Sequence, residues 1–135
     1  MNIVLDACAV IAFFRDEAGA DVVEQYLLSP EHFCLIHAVN LCEVYYDFLK
    51  SGGVQEADQM TQELIDADID IRRDLDDVFW RSIANYKATI RRISLADCFA
   101  LTLSKKLSGT LITSDRKEFE PVAMLNICPI ITDFS

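Results

Sequence analysis

Residues 2–14 read NIVLDACAVIAFF: a short apolar run, one aspartate, then a longer apolar run. Ile3–Leu5 has the length of a buried strand, and Ala7–Phe14 has helical spacing. The same alternation recurs down the chain. Phe33–Ile36 and Thr110–Thr113 read as two further buried strands. Ile127–Ile131 contains Pro129, which has no amide donor, so it suits the edge of a sheet. Asp68–Ile71 (DIDI) alternates polar with apolar and reads as another edge strand. Between them the spacing predicts helices over Ala18–Leu28, His37–Lys50, Val54–Ala67, Leu75–Ile93 and Ser94–Leu107. Gly52-Gly53 stops the helix from His37, and Gly109 follows the last one, where a helix C-terminus favours glycine. Strands alternating with helices imply βαβ units, hence an α/β fold with a parallel sheet flanked by helices. At 135 residues the chain is expected to form a single domain, 1–135.

With 52% apolar side chains, a domain of this size folds without disulfides or structural metal. The five cysteines are odd in number and no two are spaced C-x-x-C, which argues against a disulfide framework or a zinc knuckle. Free thiols in apolar runs point to a reducing compartment. No apolar stretch reaches the roughly 18–20 residues of a membrane span, so a cytoplasmic protein is expected.

There are 22 acids and 12 bases, a net charge of −10 that argues against wholesale polyanion binding. The sign is uneven. Residues 78–117 hold eight bases (Arg81, Lys87, Arg91, Arg92, Lys105, Lys106, Arg116, Lys117) against Asp97 and Asp115, net +6. This one basic block in an acidic chain has the charge pattern of a nucleic-acid footprint, or of ordinary solvated helix faces.

Ligands of open parallel sheets bind beyond the carboxyl ends of the strands. Asp6 ends the first strand, Asp115 follows TLITS, Asp97 opens the helix of ISLADCFALTLSKK, and Glu43 lies within VNLCEVYY. Each has an ordinary structural reading. Asp6 and Asp115 can cap helices, Ser94 with Asp97 can form a capping box, and Glu43 can face solvent. Together they converge on one rim, where each pair of carboxylates repels by about 4 kcal/mol at 4 Å and an effective dielectric of 20. A divalent cation among them relieves that repulsion, and all-oxygen donors suit Mg²⁺ or Mn²⁺. Such a site serves phosphodiester cleavage. The chain has no P-loop, dinucleotide or G-x-S-x-G motif, and only two histidines.

IVLDACAVIAFF, NLCEVYYDF, ISLADCFALTLSKK and TLITSDRKEF, in this order, resemble the PIN-domain nucleases, and within them the VapC-like toxins of type II toxin–antitoxin pairs. The resemblance covers essentially the whole chain and implies a five-stranded parallel sheet. It also implies cleavage of single-stranded RNA, with Asp6, Glu43, Asp97 and Asp115 as the acidic quartet. On this reading Asp6, Asp97 and Asp115 hold Mg²⁺ or Mn²⁺, and Glu43 orients or deprotonates the attacking water. Partners implied are an RNA substrate and an antitoxin protein, in a homodimer or a toxin–antitoxin hetero-oligomer. Where the family usually has Ser or Thr, this chain has Cys8; the hydroxyls of Thr113 and Ser114 are the candidates to supply what it lacks. Arg15 and Arg116 are candidate phosphate contacts. The alternative is a PIN-like module that binds RNA or protein without cutting. A response-regulator receiver and a D-x-D phosphatase fit less well, since only one acid follows the first strand and position 8 is Cys.

Overall fold

A computed structural model describes residues 1–132, apart from the side chain of Arg116. Five parallel strands, β1 (Asn2–Leu5), β2 (Phe33–His37), β3 (Asp70–Arg72), β4 (Thr110–Ile112) and β5 (Ile130–Ile131), form one sheet in the order β3-β2-β1-β4-β5. The helices are α1 (Ala7–Phe14), α2 (Ala20–Leu28), α3 (Ala38–Asp66), α4 (Asp77–Thr89), α5 (Leu95–Lys106) and α6 (Arg116–Ala123). Among the described residues no helix is long and apolar enough to cross a membrane.

Alternation along the strands builds two cores. Ile3, Leu5, Ile36 and Ile112 face α1, α2 and α3, where Val10, Val23, Val44 and Leu64 are fully or nearly fully buried. Val4, Leu35 and Leu111 face the other way and pack with Phe79, Ile83, Leu101 and Phe119 of α4, α5 and α6. Burial on both faces is why these strands read as unbroken apolar runs. Both predicted edge strands are edges. β3 begins two residues later than DIDI suggests, because Asp68 takes a left-handed φ of 61° in the turn out of α3.

Two boundaries move for local reasons. α4 starts at Asp77 because the Asp76 carboxylate accepts the Phe79 amide at 2.8 Å. It ends at Thr89, and Lys87 Nζ then donates to the carbonyls of Arg91 and Ile93 as the chain turns away. α6 has no counterpart among the predicted helices, since Pro121 interrupts its pattern.

α3 is broken where Gly52-Gly53 predicts a stop: Gly53 sits at φ 82°, ψ −175°, a conformation open essentially to glycine alone. The break is sharp. Tyr45 donates to Asp58 Oδ1 at 2.8 Å, whereas thirteen residues of unbroken helix span about 20 Å. The second half of α3 therefore folds back on the first, and Phe48, Ala57 and Met60 meet in one core. A Cβ at Gly53 would meet nothing within 4 Å, so Gly53→Ala tests backbone conformation alone. Its expected cost is about 1–3 kcal/mol in urea unfolding, and an unchanged midpoint would contradict the left-handed break.

Candidate active site

Strand order reverses direction between β1 and β4, so the crevice above their carboxyl ends is the natural ligand site of this sheet. Asp6 leaves β1 into that crevice. Its Oδ1 accepts the Ala9 amide at 2.8 Å and N-caps α1. Asp115, beyond β4, caps α6 by accepting the Glu118 amide at 3.2 Å. Asp97, in the first turn of α5, makes a capping box: its amide donates to Ser94 Oγ at 3.0 Å and its Oδ2 accepts the Ser94 amide at 3.1 Å. The capping reading of all three aspartates is therefore correct. It is also incomplete, because a carboxylate has two oxygens and a cap engages one.

The second oxygen of Asp6 carries the site. Asp6 is 1% exposed, and its Oδ2 is buried with no hydrogen-bond partner among the described residues. Burial pushes its pKa up to about 7; the neighbouring Thr113 hydroxyl and the Ala9 amide pull it down, and Asp97 and Asp115 push it further up. Glu43, in the second turn of α3, is exposed, and its carboxyl is raised by partial loss of water and then by Asp97. Cys8 reports on the whole quartet. Although the residue is exposed, its thiol is pushed up to about 12, first by lost water around the sulfur and then by Asp6, Asp115, Asp97 and Glu43. The four predicted acids thus share one electrostatic neighbourhood.

Glu118 joins them, and the sequence reading missed it. Its carboxyl is raised by a hydrogen bond with the Asp97 side chain, by partial burial and by the charges of Asp115 and Asp97, with Lys87 opposing. The signal was present in Asp115-x-x-Glu118, the spacing of a second capping box, on a helix hidden by Pro121. Thr113 ties the rim together: it is fully buried, and its Oγ1 accepts the Asp115 amide at 3.0 Å beside Asp6. Arg15, a candidate phosphate contact in the sequence, is paired within the chain. Its guanidinium donates to Asp47 at 2.8 Å and to Ser51 at 2.9 Å, and lies over the Phe48 ring. The Arg116 side chain lies outside the described residues.

Among the described residues no three His, Cys, Asp or Glu side chains stand close enough to hold a metal ion as placed. The donors nevertheless fit a hard divalent cation in kind: oxygens only from the acids, uncompensated negative charge, and one orphaned buried oxygen on Asp6. Carboxylates that share a neighbourhood repel one another, and a divalent cation would relieve that repulsion.

The PIN domain family matches residues 3–124. This chain belongs to that family. Solved structures with the same fold include VapBC2 from Rickettsia felis bound to a DNA fragment from its promoter, at TM-score 0.74 and 15% identity, covering 98% of this chain and 99% of that one. VapBC-1 from nontypeable Haemophilus influenzae matches at TM-score 0.66 and 18% identity, with 98% of each chain covered. VapBC-5 from Mycobacterium tuberculosis, a member of a toxin–antitoxin family, matches at TM-score 0.65 and 16% identity, with 98% of each covered. No curated protein matches the chain by sequence. The five-stranded parallel sheet is thus the VapC-like PIN fold.

Proposed function

We propose that this PIN domain is a Mg²⁺- or Mn²⁺-dependent endoribonuclease of single-stranded RNA, and the toxin of a toxin–antitoxin pair. The observation that carries the reading is the buried Asp6 with one oxygen unpartnered, opposite Asp97 and Asp115 at the switch point of the sheet. In this role Asp6, Asp97 and Asp115 hold the cation. When held there, a divalent ion would polarise the phosphoryl oxygen and lower the pKa of an attacking water. Glu43, reaching solvent with a raised carboxyl, orients that water or accepts its proton. Thr113 keeps Asp6 and Asp115 in register.

The toxin reading draws support from the VapBC structures with which the fold is shared. An antitoxin or a second copy of the chain would have to cover apolar surface on the early helices. Most of that surface is already used: Phe13, Phe14, Tyr26, Leu27 and Tyr45 pack against the core. Leu28 at 75% and Tyr46 at 61% remain exposed.

Purified protein should cleave single-stranded RNA in millimolar Mg²⁺ or Mn²⁺ and stop in EDTA, and its expression without a partner should arrest growth. Binding of RNA with no cleavage in either metal would favour the alternative, a non-cutting PIN module.

A further inference from the structure

Among the described residues, hydroxyls inside the helices follow one rule with one exception. Ser51, Thr61, Ser82, Thr89 and Ser104 each donate to a carbonyl of the preceding turn, three or four residues back. Thr102 of α5 does not. The residue is 5% exposed, and its Oγ1 is buried with no hydrogen-bond partner among the described residues. A helical threonine that forgoes the carbonyls of its own preceding turn carries its oxygen away from the helix backbone. Thr102 lines a cavity of about 250 Å³ between α4 and α5. Val78, Ser82 and Tyr86, four residues apart along α4, form one wall, and Thr102, Lys105 and Lys106 of α5 form the other. The buried Phe79 adds its ring to the lining. The cavity is separate from the acidic rim, since Thr102 lies five residues beyond Asp97, about 140° further around the helix.

We infer that this cavity binds a small aromatic monocarboxylate, with its carboxylate on Lys105 and the Thr102 hydroxyl and its ring against Phe79, Tyr86 and Val78. The polar groups of the lining decide the class. Lys106 is spent on Asp74 and lies over the Phe79 ring, and one oxygen of Asp76 is spent on the Phe79 amide. Lys105 makes no hydrogen bond or ion pair among the described residues. Residues three apart on a helix stand about 5–6 Å from each other at Cβ, so one carboxylate reaches both Lys105 and Thr102. A dianion such as a phosphate monoester suits the site less, because it meets one uncommitted cation with the Asp76 carboxylate in the same lining. An amine is repelled by Lys105. The volume lies just below the roughly 300–1,000 Å³ of pockets for drug-sized ligands, which suits a molecule of one or two rings. Such a site goes beyond the nuclease reading and does not depend on it.

The test is calorimetric titration of the protein with 2-naphthoate, using 2-naphthylmethanol and 2-naphthylmethylamine as neutral and cationic molecules of the same shape. EDTA in the buffer keeps the carboxylate from binding through a metal at the acidic rim. Affinity should fall in the order naphthoate, alcohol, amine. Lys105→Met keeps the apolar stem and removes the charge, so it should weaken naphthoate about 10-fold or more and leave the alcohol unchanged. Lys105→Arg should retain the binding. Thr102→Val keeps the shape and removes the hydroxyl, and should weaken naphthoate about 5-fold without lowering Tm. Lys105 is exposed, so its variants keep the question open to an answer even where Thr102→Val fails to fold. No binding of naphthoate at millimolar concentration, binding no tighter than that of the amine, or equal affinity in wild type and Lys105→Met would each overturn the assignment.

Discussion

Asp6→Asn should abolish metal-dependent RNA cleavage and, in EDTA at pH 8, make the protein more stable by about 4 kcal/mol. The figure follows from a carboxyl that titrates at 3.8 when unfolded and about 7 when folded, at about 1.4 kcal/mol per pH unit. Between those values the folded protein holds a proton that the unfolded chain has lost. Stability from this group is therefore full below about pH 4, falls as pH rises, and is fully lost above about 7. Asparagine never ionises, so the advantage of the variant grows with pH: about 2 kcal/mol at pH 5.5 and about 4 kcal/mol at pH 8. Its side-chain oxygen still accepts the Ala9 amide, so α1 keeps its cap. Urea unfolding at the two pH values measures the difference. Equal stabilities at pH 8 would mean that Asp6 is not the buried, uncompensated carboxylate described above.

Mn²⁺ should produce the second largest effect. A cation bound only by the folded state stabilises it by about 2.7 kcal/mol at a hundredfold excess over Kd, which raises Tm by about 10 °C for a chain of this size. Because the cation competes with the proton on Asp6, the increment should shrink as pH falls from 7 to 5. It should also shrink in Asp6→Asn and Asp115→Asn, each of which removes one donor charge while keeping a helix cap. A Tm unmoved by millimolar Mn²⁺ at pH 8 would contradict a metal site on this rim.

What the sequence made legible was local. Ile3–Leu5 and Phe33–Ile36 read as strands because both faces of the sheet are covered, leaving no polar alternation to confuse them. Asp6, Asp97 and Asp115 could be singled out because each follows a strand or opens a helix, positions that the topology alone carries to one rim. Two kinds of information were hidden. Pro121 masked α6, and with it Glu118. Arg15 looked free because its partner, Asp47, is 32 residues away and is brought near only when α1 packs on α3. Whether a charge is spent on a neighbour is a property of the folded surface.

The helices that cover the two faces of the sheet come from different halves of the chain, and this orders events during synthesis. By Arg72 the ribosome has made β1, β2 and β3 with the helices of one face, while Val4 and Leu35 still lack the cover that α4, α5 and α6 bring. At roughly 5–20 residues per second, translating the next 40 residues to Ile112 takes about 2–8 s. During that interval the chain already made holds apolar strand residues whose covering helices do not yet exist. Asp6 and Glu43 are also already synthesised then, ahead of Asp97 and Asp115. The acidic rim is completed among the last parts of the described chain to emerge, so a truncated or stalled product carries only half of the rim.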